Sequence, residues 1–99
     1  MPEAAGIIEV FGLATAFAAA DAGCKAANVR LETFAKNKPG NADDLPVPLI
    51  VAVKFSGSIS DVKAAMEAAK YKAEGLAGVE TVHEIARPDT DTDQMLKLK

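Results

Sequence analysis

Two stretches of this chain repeat one apolar spacing. Leu13, Phe17, Ala20, Cys24 and Ala27 recur at intervals of 4, 3, 4 and 3 residues, and Val62, Met66, Ala69, Ala73 and Leu76 do the same. That spacing aligns side chains along one face of an α-helix, whereas a strand would alternate them. It predicts helices over 13–27 and 59–76, each with one buried stripe. In the first, Asp21 and Lys25 stand one turn apart on the other side, in the favourable acid-first order. Asn28 is suited to end that helix in a left-handed conformation. In the second, Lys63, Glu67, Lys70 and Glu74 form a charged face whose pairs contribute about 0.2–0.5 kcal/mol each. Ser58 or Ser60 caps its start, and Gly75 and Gly78 stop it.

The intervening segments read as strands. Ala5 to Phe11 is rich in Ile, Val and Phe, and Gly12 breaks it. Val29 to Lys36 sets Val29, Leu31 and Thr33 against Arg30, Glu32 and Phe34, a strand with one buried face. Leu49 to Phe55 reads as a buried strand, and Val79 to Ile85 as a fourth, ended by Arg87-Pro88. Residues 37–48 (NKPGNADDLPVP) break every periodic pattern. A connection this long in a compact domain is often functional. Residues 89–99 form a polar tail with room for one helical turn. The order β-α-β-β-α-β defines a single α/β domain.

Composition narrows the function. A chain of 99 residues builds one modest core and gains from association with other copies. Alanine supplies about a fifth of it, well above usual composition, and small side chains let helices and neighbouring subunits approach closely. The net charge of -3 gives no means of neutralising a nucleic-acid backbone. The strand order is shared by an RNA-binding module, but Phe55 and Phe11 are too few aromatics for stacked bases. The start Met1-Pro2-Glu3 lacks the basic residues of a secretory signal, and the apolar run Leu49–Val53 is too short to span a bilayer. One cysteine forms no internal disulfide and fits a reducing compartment. A cytoplasmic location is expected, with no nucleic acid and no membrane as partner.

Catalytic constellations are missing. Nucleophilic catalysis needs a nucleophile beside a base, but Cys24 is the only thiol and His83 the only imidazole. Cys24 lies on the first apolar stripe and is expected to pack in the core. His83, between Val82 and Glu84 in a strand, is expected to be a packed or hydrogen-bonded structural residue. Asp89-Thr90-Asp91-Thr92-Asp93 lacks the glycine and distal glutamate of a calcium loop. The glycines never form a phosphate-cradling run. No enzyme, metal site or cofactor is expected.

A resemblance makes the reading specific. Gly6-Ile7-Ile8-Glu9-Val10-Phe11-Gly12-Leu13, Ala20-Asp21-Ala22 and Lys25-Ala26-Ala27-Asn28-Val29 resemble the bacterial microcompartment shell domain. So do Asp61-Val62-Lys63-Ala64-Ala65, Gly78-Val79 and Arg87-Pro88-Asp89-Thr90-Asp91. The likeness covers about residues 4–96. It implies a four-stranded antiparallel sheet with helices packed on it. It also implies cyclic homohexamers that tile, with other shell proteins, around encapsulated enzymes, and a central pore for metabolites. Lys25 and Asn28 then resemble the edge residues that meet the next hexamer. Arg87 resembles the arginine that reaches across that edge, a role suited to its fork of donors.

The same resemblance makes residues 37–48 an extended pore loop. Lys36 matches the lysine of a shorter turn found in many members, and Pro46-Val47-Pro48 replaces its small residues, with Val47 at the pore position. Six copies of Val47 would make an apolar constriction that gates by dewetting, and Asp43 and Asp44 would add negative charge at one mouth. The proline-flanked loop is closest in character to glycyl-radical microcompartment shell proteins, some of which hold an iron–sulfur cluster at the pore. Val47 offers iron no ligand and Cys24 is on the wrong element, so a cluster needing convergent thiolates is not expected. The alternative from the residues alone is a small regulatory or ligand-binding α/β domain, dimeric or trimeric, with 37–48 as its ligand loop.

Overall fold

Alternating strands build a sheet that carries the rest of the molecule. The computed structural model describes residues 3–37 and 49–98. The chain runs β1 (Ala4–Phe11), α1 (Leu13–Ala26), β2 (Arg30–Asn37), β3 (Ile50–Gly57), α2 (Ile59–Glu74), β4 (Val79–Ile85) and α3 (Thr90–Met95). The strands lie in the order β2-β3-β1-β4, and each neighbouring pair is antiparallel. On one sheet face Gly6 pairs with Phe55, Ile8 with Val53 and Val10 with Val51. With Val62 and Met66 of α2 these form the fully buried centre of the core. The alternate residues Ile7, paired with Lys54, and Glu9, paired with Ala52, point to the other face.

α1 and α2 pack side by side on the first face, α2 over β1 and β4, α1 over β3 and β2. Ser58 caps α2: its hydroxyl accepts from the Asp61 backbone N–H at 3.1 Å and donates to the Asp61 carboxylate at 2.8 Å. The expected stripe of α2 is buried at Val62, Met66, Ala69 and Ala73, but the helix ends at Glu74, so Leu76 is exposed. Gly12 (φ 92) and Gly78 (φ 103) turn the chain where a side chain would be strained.

α1 corrects its own stripe. The buried residues are Thr15, Ala16, Ala19, Ala20 and Gly23, one small-residue face rotated from the predicted one. Of the expected stripe only Ala20 is buried; Leu13, Phe17 and Cys24 are exposed and Ala27 is half-buried. The reason is distance. Gly23 sits so close to Phe55 that a Cβ there would lie 2.6 Å from the ring; that approach needs glycine at this position and only small residues along the rest of the face. The larger apolar side chains are left outside.

Three further expectations change. Asn28 is not left-handed: no described non-glycine residue has positive φ. α1 stops at Ala26, Ala27 is extended, and the Asn28 N–H donates to Asp61 Oδ1 at 3.4 Å. The alternation of β2 is interrupted by a bulge between Leu31, paired with Phe55, and Phe34, paired with Val53. The extra residue returns Phe34 to the core-facing side, where it packs against the core. His83 is exposed rather than packed. The polar tail folds as α3, capped by Asp89, and crosses the second sheet face. There Thr33 Oγ1 donates to the carbonyls of Leu96 (2.9 Å) and Leu98 (3.1 Å), and Leu96 is buried.

Candidate functional site

Antiparallel pairing sorts the candidate residues to two ends of the sheet. At one end Arg30 pairs with Ser56, and Ala5 pairs with Ser56 and Ile85. The close of α1, the start of α2 and the exit of β4 lie at that end, joined by the Asn28–Asp61 bond. Lys25, Asn28 and Arg87 therefore share it, and all three are exposed. At the other end Asn37 pairs with Ile50, so Lys36, exposed, leads towards residues 38–48 there. A strand rises about 3.3 Å per residue, which sets these ends roughly 23 Å apart along β3. Asp43, Asp44, Pro46, Val47 and Pro48 lie outside the described residues, as does the loop's likeness to the glycyl-radical subgroup.

Lys25 holds an ion pair with Asp21 at 2.8 Å. The hydrogen bond and the charge of Asp21 raise the Lys25 pKa. Both side chains are well exposed, so the pair orients Lys25 without contributing much stability. Arg87, exposed after the last strand, makes no salt bridge to any described residue.

The two lateral edges were not anticipated from the sequence. On the β2 side, Phe17 (60% exposed) stands edge-on to Phe34, ring centres 5.0 Å apart. With Leu31 (41% exposed) they line an open cavity of about 340 Å³. On the β4 side, Val82 is exposed on the strand and Ile59 and Leu76 at the two ends of α2. A groove of about 200 Å³ runs there between α2 and β4, lined by Ile59, Val62 and Ile85 among others. The missed signal was the alanine-rich face of α1: once alanines face inward, Leu13 and Phe17 must face out.

No cluster of His, Cys, Asp or Glu able to hold a metal occurs among the described residues. No helix among them is long and apolar enough to cross a membrane. Among the described residues the fold is an α/β domain with charged groups at one end of the sheet and apolar patches on both flanks. The BMC domain family model matches residues 4–88, and the chain belongs to that family. It is similar to the bacterial microcompartment shell protein PduA of Citrobacter freundii, 38% identical over 95% of this chain and 91% of that protein. It is also similar to the carboxysome shell protein CcmK2 of Synechococcus elongatus, 35% identical over 100% of this chain and 90% of that protein. Among solved structures, a microcompartment protein from Desulfitobacterium hafniense shares the fold with a TM-score of 0.73 and 24% identity; the match covers 98% of this chain and 48% of that one.

Proposed function

We propose that the chain is a structural, non-enzymatic shell protein of a bacterial microcompartment in the cytoplasm. It assembles with copies of itself into cyclic hexamers and with other shell proteins into a layer around encapsulated enzymes. The observation that carries this is the division of the slab, 41 × 27 × 15 Å, into four functional borders. The apolar patches lie on opposite flanks, one on α1 and β2, the other on α2 and β4. A patch that meets a different patch on the next copy makes a heterologous contact, and such contacts close into rings when the rotation fits. In a ring built this way, one end of every slab points to the axis and the other outward. In this reading residues 37–48 serve as the pore loop at the axis, and Lys25, Asn28 and Arg87, at the opposite end of the sheet from Asn37, fall at the rim.

Light scattering of the purified protein tests the ring. A mass of six chains is expected over a broad concentration range, and a monomeric, dimeric or trimeric mass throughout would overturn it. Phe17→Glu places a charge in the centre of the flank contact and is expected to leave folded monomers, with an unchanged far-ultraviolet circular dichroism spectrum.

A further inference from the structure

Lys54 belongs to neither apolar flank. It lies mid-strand in β3 on the face opposite α1 and α2, and is 9% exposed. An ammonium carries three donors. Among the described residues one acceptor meets it, the Leu98 carbonyl at 2.6 Å, and no described carboxylate forms a salt bridge with it. Burying a cation without a counter-charge is costly, and that burial holds the Lys54 pKa below the ordinary lysine value. Beside it a cavity of about 260 Å³ opens between the sheet and the C-terminal turn, lined by Ile7, Lys54, Thr92, Met95 and Leu96. It combines three apolar side chains, one hydroxyl and one cation.

We propose that this cavity binds a small monocarboxylate, its carboxylate paired with Lys54 Nζ and its short alkyl chain held among Ile7, Met95 and Leu96. The two remaining ammonium donors suit a carboxylate, and charge-assisted bonds are the strong ones. Thr92 lies on the same wall. The cavity lies just below the roughly 300–1,000 Å³ usual for ligand sites, which fits a chain of a few carbons. Its apolar lining disfavours phosphate and sulfate, whose remaining oxygens would stay unpaired. On the neighbouring strands Glu9 accepts from Thr81 Oγ1, and Glu32, in the bulge opposite Lys54, accepts from Ser56 Oγ and pairs with Arg30 at 3.6 Å. His83 flanks Ile7 on the side away from Lys54 and adds no negative charge. Because β1 and β3 are the central strands, the site is remote from both flanks and stands independently of the ring.

Methyl NMR of the assembled protein, read at Ile7 and Met95, tests the site with butyrate as probe. Butyrate is expected to move both signals saturably, and Lys54→Arg to retain the effect. Butyramide, the uncharged counterpart, and inorganic phosphate are expected to need at least tenfold higher concentration, and Lys54→Met to abolish the response. The proposal is overturned if butyrate gives no saturable shift, if butyramide or phosphate matches it, or if the response survives Lys54→Met. The butyramide comparison uses the unaltered protein, so it decides the matter even if Lys54→Met folds poorly.

Discussion

Cys24 shows what a side chain's surroundings do to its chemistry. It is exposed on α1, yet its thiol is held above the ordinary cysteine pKa, first by partial burial and second by the charge of Asp21. The thiolate is the reactive form. Cys24 should therefore alkylate with iodoacetamide more slowly at pH 7.5 than a free cysteine, and its rate profile should rise at higher pH. Asp21→Asn should move that profile down in pH, but not to the free value, because burial is the larger cause. An unchanged profile in Asp21→Asn would remove Asp21 from the account. The Asp21–Lys25 pair was legible in the sequence, since four-residue spacing on a helix brings the two together whatever the helix packs on. The exposure of Cys24 was not, because it depends on which face of the helix the sheet receives.

At the scale of the element, α1 is a helix defined by what it can approach. Gly23→Ala gains helix propensity of about 1 kcal/mol. The added Cβ, however, would lie 2.6 Å from Phe55 Cζ and 3.2 Å from the Ala65 carbonyl oxygen. Overpacking of a closed core costs about 1–3 kcal/mol, so urea denaturation should show a net destabilisation of up to about 2 kcal/mol. Gly6→Ala should cost less, although its Cβ would lie 2.7 Å from Met66 Sδ, because a methionine side chain repacks. Greater stability in Gly23→Ala would mean that α1 can shift away from the sheet. The stripe of α2 was readable because the large residues on it within the helix, Val62 and Met66, are buried. α1 inverts that rule. A reading that weights residues by size selects Leu13 and Phe17, the side chains left for a neighbour. β2 misled similarly, since a single bulged residue exchanges the faces that strict alternation assigns.

At the scale of the whole molecule, the prediction concerns the rim. Lys25→Ala removes an exposed side chain that touches no core residue, so folding and the ring should persist. Electron microscopy is expected to show sheets or tubes of the unaltered protein and none of Lys25→Ala. Loss of both rings and sheets would mean that Lys25 acts within the ring rather than between rings.

The order of elements, a serine cap at 58 or 60, the buried face of α2 up to Ala73 and the family were set by the sequence alone, because each depends on residues close together in the chain or on a run of matching motifs. Tertiary structure decided the rest. It turned the alanine face of α1 inward and left Phe17 and Leu31 on one flank. It carried Lys25, Asn28 and Arg87 to one end of the sheet. It also buried Lys54 beneath the turn after α3, with the Leu98 carbonyl as its one acceptor among the described residues. Those outcomes depend on contacts between residues distant in sequence, and on close approach distances that no periodicity records.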